Sequence, residues 1–304
     1  MRKDFVSITD LNRNEFMGLI KEAVNLKKER GKAKEPLKGK ILAMIFEKPS
    51  LRTRVTFQTG IYELGGMGIY IASSDIKIGE RESIGDVAKN LSRWVHGIMA
   101  RTFYHSTVTE LAENASIPVI NGLSDLEHPC QVLADFQTIY EKKGDFKGIK
   151  LAYIGDGNNV CHSLLLASGL LGLDMRVAHP EGYGPKEDII KNAMDFASTT
   201  GGSIMITNDP IEAVENADVV YTDIWASMGQ KDEAEERRKI FVPYQVNEEL
   251  VTHAKKDYIF LHCLPAIRGE EVSAGVIESP NSVVFDEAEN RLHAQKALMV
   301  RLMS

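Results

Sequence analysis

Short apolar runs alternate with helix-patterned segments along the whole chain, and this alternation limits the fold more than any other feature. A first series contains "ILAMIF" (41–46), "GIYIA" (68–72), "GIMART" (97–102) and "IPVIN" (117–121). Between and after these runs lie helical patterns. They are Arg54 to Leu64, stopped by Gly65 and Gly66, a stretch around 83–95, "TVTELAENA", and the long "CQVLADFQTIYEKKG". A second series contains "IKLAYIG" (149–155), "MRVAHP" (175–180), "SIMITN" (203–208), "DVVYTDI" (218–224) and "YIFLHCLP" (258–265), again with helices between them. Strands separated by helices imply an α/β fold of parallel sheets with right-handed crossovers. "EKKGDFKG" (141–148) breaks the pattern with charge and glycine and marks a boundary. Two domains are also what 304 residues suggest. "DEAENRLHAQKALMVRLM" reads as a final helix with Ala288, Leu292, Gln295 or Lys296, and Met299 along one side, able to pack on either domain.

The exit of the first apolar run is unusual. "FEKPSLRTRVTF" (46–57) places Lys48, Ser50, Arg52, Thr53 and Arg54 between two apolar stretches. In open parallel sheets, ligands bind beyond the carboxyl ends of strands. A helix opening there offers unpaired N–H groups and a partial positive charge. Ser50 and Thr53 add hydroxyls, and Arg52 can grip two oxygens. Together these make a phosphate cradle without a glycine loop. The competing reading is an N-cap serine before a solvated helix face.

Other chemistry-bearing residues also follow strands. In "HPCQ" (128–131), His128 can donate to a carbonyl oxygen and Gln131 can accept from an amide, although a histidine at a helix start is often structural. Arg101 and Arg291 are further cations able to reach the cradle; each alone reads as a surface arginine. "GDGNNV" (155–160) partly matches a dinucleotide fingerprint, but Val160 replaces the third glycine and the next strand ends in His179-Pro180 rather than an acid. Asn158 and Asn159 instead offer amides. "DIWASMG" (223–229) supplies an acid and a hydroxyl, and "HCLP" (262–265) a thiol, so Asp223 with Cys263 suggests recognition of a cationic amine. His262 beside Cys263 makes a poor nucleophilic dyad if both lie on a strand, where neighbours point to opposite faces. Three separated cysteines and no close His/Cys/acid grouping suggest no metal site.

Composition excludes several function classes. A net charge of −7 argues against general nucleic-acid binding while permitting a local cationic pocket. The start "MRKDFVSITDL" lacks the apolar core of a signal peptide, and no run of 18 apolar residues suggests a membrane span. Sparse cysteines (130, 161, 263) fit a reducing cytoplasm.

"SLRTR", "HPCQ", "DIWASMG", "HCLP" and "ENRLH", in this order, resemble the aspartate/ornithine carbamoyltransferase family over essentially the whole chain. The last three are similar to its ornithine branch. The resemblance implies two doubly wound parallel-sheet domains, 1–145 for carbamoyl phosphate and 146–286 for ornithine, with the C-terminal helix 287–304 returning to the first. It implies transfer of a carbamoyl group to L-ornithine, giving L-citrulline and phosphate, in a homotrimer with no cofactor and sites at subunit interfaces. By the same resemblance Ser50, Leu51, Arg52, Thr53, Lys77 and Arg101 hold the phosphate. His128, Gln131, Arg291 and the Cys263–Leu264 region face the carbamoyl group. Asn159, Asp223, Ser227 and Met228 take ornithine, and Arg101, His128 and Cys263 are nearest the chemistry.

Three positions depart from the pattern: Leu51 stands where threonine is usual, Lys77 where ornithine enzymes commonly have glutamine, and Ile267 where histidine is usual. An acid at 223 disfavours aspartate, whose second carboxylate wants a cation. Putrescine would leave the carboxylate-binding groups without a partner. A modified ornithine, or a phosphate-binding regulator without turnover, are the remaining alternatives.

Overall fold

The computed structural model describes residues 4–304 apart from 33, 77, 80 and 227–233. The first elements in chain order are α1 (Arg13–Lys28), β1 (Ile41–Phe46), α2 (Leu51–Glu63), β2 (Met67–Ala72), α3 (Ser73–Ile76), α4 (Ile84–Trp94), β3 (Gly97–Arg101), α5 (His105–Asn114), β4 (Val119–Leu123) and α6 (Pro129–Lys143). There follow β5 (Lys150–Ile154), α7 (Asn159–Leu171), β6 (Asp174–Ala178), α8 (Glu187–Thr200), β7 (Ser203–Thr207), α9 (Pro210–Val214), β8 (Val219–Thr222), α10 (Ala234–Phe241), β9 (Ile259–Leu261), α11 (Ala274–Ile277) and α12 (Val284–Met303). The chain forms two compact units. One comprises Met1–Gln137 with Glu289–Ser304, the other Thr138–Ala288, so α6 and α12 each contribute to both.

The first unit holds a four-stranded sheet in the order β2-β1-β3-β4, and the second a five-stranded sheet in the order β7-β6-β5-β8-β9. Every ladder is parallel. Central strands such as β1 and β3 are buried along nearly their whole length, which is why they read as unbroken apolar runs. In each sheet the strand order reverses once. In the first unit the reversal lies between β1 and β3, where Phe46 pairs in register with Arg101. In the second it lies between β5 and β8, where Ile154 pairs with Thr222. Such reversals open a crevice at the strands' carboxyl ends, and the chemistry-bearing segments emerge at both.

Local sequence sets where the helices start. Ser50 caps α2 by accepting from the Thr53 N–H, so that helix begins at Leu51, three residues before the apolar periodicity at Arg54. Asn158 caps α7 through the N–H groups of Val160 and Cys161. The last strand stops at Leu261 rather than running to Pro265. Beyond it the His262 N–H goes to the Glu287 carboxylate at 2.8 Å instead of a ladder, and Leu264 turns the chain at φ +56°.

α12 also differs from the one-sided helix expected. From Arg291 to Met299 every residue is buried. Several of its polar groups are held by other elements of the first unit: Asn290 by Lys27 and Gln137, Lys296 by Glu63, and Arg301 by Glu15. Gly60 in α2 permits this, since a Cβ there would lie 2.9 Å from Met299 Cε. Among the described residues no helix is long and apolar enough to cross a membrane.

Candidate active site

In the first unit, the β1–β3 crevice gathers cations. The chain leaving Phe46 turns through Glu47, whose N–H donates to the Arg101 carbonyl at 2.9 Å, and enters α2 at Ser50. Arg52 is half-buried one residue into the helix, Thr53 is fully covered, and Arg101 is 7% exposed at the end of β3. Arg291 reaches the same place from α12. One guanidinium nitrogen donates to the Gln131 Oε1, and the other to the Thr53 hydroxyl at 3.2 Å. Gln131 passes the contact on, its amide donating to the buried Asp135 at 2.8 Å. "SLRTR", "HPCQ" and "ENRLH", far apart in sequence, therefore share one hydrogen-bonded network.

His128 lies in this field. Burial holds its imidazole well below the ordinary histidine range, and Arg291, Arg101 and Arg52 press it further in the same direction. A neutral His128 can donate one hydrogen bond to an oxygen that gains negative charge. Lys48 belongs here too. Its ammonium sits 4.8 Å over the Phe103 ring, and burial, followed by repulsion from Arg101, lowers its pKa against the pull of Asp125 and Glu47. Leu51 is 76% exposed, so its side chain lies away from this network while its backbone stays in the helix start. The whole arrangement suits a multiply charged oxyanion whose neighbouring carbonyl needs polarising.

In the second unit, the β5–β8 crevice holds an acid whose two oxygens are both engaged. Asp223 follows β8 directly. Its Oδ2 accepts from the Asn158 amide at 2.8 Å, and its Oδ1 accepts from the Ile224 N–H at 2.8 Å and the Cys263 thiol at 3.1 Å. Asp223 and Cys263, 40 positions apart, thus meet. Asn159 is the first residue of α7 and half-buried. Ser227, Met228 and Lys77 lie outside the described residues. The glycine of the "GDGNN" turn has a steric reason unrelated to nucleotides: a Cβ on Gly157 would fall 2.1 Å from Pro185 N.

Two readings of "HCLP" need correction. Asp223, His262 and Cys263 do form a close grouping, with one potential ligand atom of each within 4.8 Å of the others. The alternation argument fails because these residues lie past the end of β9. The grouping is already hydrogen-bonded internally. The Leu264 N–H donates to His262 Nδ1 at 2.8 Å, which fixes the tautomer and directs Nε2–H to Glu271 at 3.0 Å. His262 is therefore occupied in shaping the turn that carries Cys263 and Leu264. Ile267 has an exposed side chain, and its N–H donates to the same Glu271 at 2.7 Å.

Two family models match nearly the whole chain. The carbamoyl-P binding domain of aspartate/ornithine carbamoyltransferase covers residues 3–141, and the Asp/Orn binding domain covers 147–302. The chain belongs to the aspartate/ornithine carbamoyltransferase family. Among its relatives, the ornithine carbamoyltransferase of Thermococcus kodakarensis is 58% identical over 303 residues, 99% of this chain and 96% of the relative. That of Anoxybacillus flavithermus is 55% identical over the same shares. The solved structure of ornithine carbamoyltransferase from Pyrococcus furiosus superposes with a TM-score of 0.97 at 55% identity, covering 99% of this chain and 96% of that one.

Some contacts around the two crevices could not be assigned from sequence. Lys48 and Asn158 stand out there as a cation and an amide, but their partners Phe103 and Asp223 are remote. Asp135, Arg237, Glu271 and Glu287 had no local signal at all.

Proposed function

We propose that the chain transfers the carbamoyl group of carbamoyl phosphate to the δ-amine of L-ornithine, giving L-citrulline and phosphate. The first unit binds carbamoyl phosphate and the second binds the acceptor. The observation that carries this reading is a buried Arg/His/Gln network at one strand-order reversal and an acid–thiol pair at the other.

In this reading Ser50, Arg52, Thr53 and the N–H groups opening α2 take the phosphate, with Lys48 adding charge. Arg101, His128 and Gln131 hold the carbamoyl group, and Arg291 keeps Gln131 and Thr53 in place. The amine lone pair attacks the carbonyl carbon, and the oxygen gains charge that Arg101 and His128 stabilise. The C–O bond to phosphorus then breaks, phosphate leaves with the electron pair, and the nitrogen loses a proton. No covalent intermediate on the protein is needed, so positioning and electrostatics supply the rate. Asp223 suits the α-ammonium, because an acid beside the δ-amine would keep it charged. Cys263 and the carbonyls of its turn are left for the δ-amine, and Asn159, Ser227 and Met228 for the rest of the amino acid.

A homotrimer completes the proposal. Leu51 and Val55 are one turn apart on α2, Met67 and Ile69 alternate on the edge strand β2, and all four expose large apolar side chains. Such a surface favours cover by a second copy. In the family-like arrangement the segment bearing Lys77 would serve a neighbour's phosphate site. Three free cysteines favour a cytoplasmic home. The direct test is to incubate purified protein with carbamoyl phosphate and ornithine. Citrulline and phosphate should appear one to one; phosphate without citrulline, or binding without turnover, would refute the reading.

A further inference from the structure

Asn158 performs two tasks with opposite ends of one amide. Its Oδ1 accepts from the Val160 N–H at 2.9 Å and the Cys161 N–H at 3.1 Å, capping α7. Those two donors settle which end is oxygen, since an NH2 group could not face them. The other end must then be the donor, and it lies 2.8 Å from Asp223 Oδ2. Asp223 Oδ1 is held from the opposite side by Ile224 and Cys263. The carboxylate therefore cannot rotate about its last bond without losing a charge-assisted hydrogen bond. The Asn158 backbone is itself fixed, its N–H donating to the Asp156 carbonyl at 2.7 Å, which also accepts from Tyr153. Sheet topology brings the pair together, because Ile154 and Thr222 are register partners and each residue follows one of those strands.

We propose that Asn158 is a positioning residue for acceptor recognition: it holds the Asp223 carboxylate in the one rotation that receives the acceptor's α-ammonium, and it need not touch the acceptor itself. The proposal rests on the assignment of Asp223 to that ammonium, so the two are tested separately.

Asn158→Ser keeps the cap, because serine is an equally good N-cap, but serine is too short to reach Asp223. The expected result is a KM for ornithine raised about tenfold or more, with the KM for carbamoyl phosphate and the melting temperature little changed. Asp223→Asn is measured alongside. If it leaves the ornithine KM unaltered, the assignment of Asp223 fails. If it raises that KM while Asn158→Ser stays within twofold of wild type, Asn158 is only a cap and the positioning proposal is overturned. The double variant should bind ornithine no worse than Asp223→Asn alone, since Asn158 acts through Asp223; additive losses would contradict the proposal.

Should the serine variant fail to fold, the swap Asn158→Asp with Asp223→Asn decides the matter. Its hydrogen bonds survive with donor and acceptor exchanged between the two positions, so it should melt near wild type and well above Asn158→Asp alone, in which two carboxylates face each other. A swap that melts no higher than that single variant would refute the pairing. A desamino acceptor, 5-aminopentanoate, gives an independent readout. If Asn158 works through an ammonium anchor, the Asn158→Ser penalty should vanish with it; an undiminished penalty would refute that route.

Discussion

Arg237 forms an ion pair with Asp156 at 2.7 Å, and its Nε donates to the Trp225 carbonyl at 2.5 Å. Its guanidinium also lies 4.8 Å over Tyr183 and 5.1 Å over Phe241. A buried arginine in α10 is thus tied to Trp225, two residues after Asp223, and to the turn beside Asn158. Removing it leaves a half-buried carboxylate uncompensated, which costs about 3 kcal/mol, the low end for a broken pair that is not fully covered. Arg237→Met should lower the denaturant midpoint strongly and weaken ornithine more than carbamoyl phosphate.

The loss in Arg237→Met should depend on pH. Burial raises the Asp156 carboxyl while Arg237 lowers it; without Arg237 it rises further. A raised folded pKa means that stability is fully present below the unfolded carboxyl pKa and is lost as pH rises through the folded one. Urea midpoints should therefore differ less from wild type at pH 5 than at pH 8. An equal gap at both would show that Asp156 is not left charged.

His128 gives the opposite sign. Its folded pKa is depressed, so its contribution is present above the unfolded value of about 6.5 and is lost as pH falls. His128→Asn should flatten the acid side of the stability profile while greatly reducing carbamoyl transfer. An NMR titration of wild type should find the His128 ring protonating well below the ordinary range.

Arg52→Ala should cost about 2–3 kcal/mol in kcat/KM for carbamoyl phosphate, roughly 30–150-fold, as expected for a lost charged hydrogen bond. Folding should change little, because Arg52 is only half-buried. Near-normal kinetics would reduce "SLRTR" to a helix cap.

Sharing of the site can be tested by mixing. Arg52→Ala and Lys77→Ala, each weak alone, are unfolded and refolded together. In randomly assembled trimers about a quarter of interfaces join an intact loop to an intact cradle, and activity should return towards that fraction. No recovery in demonstrably mixed trimers would show that the two residues do not meet across subunits.

What could be read from the sequence depended on range. "ILAMIF" and "IKLAYIG" were readable because strands buried on both faces carry unbroken apolar runs, and Ser50 was readable because a cap is local. The cation cluster could be inferred only in part. Ser50, Arg52 and Thr53 are contiguous, whereas Arg291 reaches Thr53 across 238 positions. The partnership of Asn158 with Asp223 spans 65 positions and is made by sheet topology, not by either motif. In α12 the sequence shows a single packing stripe, whereas the helix is buried all round from Arg291 to Met299; Asn290, Arg291 and Lys296 are each offset by a partner on another element, which no local pattern reveals.

The central claim is transfer to ornithine, and a competition assay tests it most directly. Carbamoyl phosphate is offered at pH 8 with equal ornithine, putrescine, N-acetylornithine and aspartate, and the products are quantified together. Citrulline should dominate by at least a hundredfold. In the ornithine-only reaction kcat/KM should rise about tenfold per pH unit below the controlling pKa, as attack by a neutral amine requires. A dominant product from any other acceptor would contradict the account.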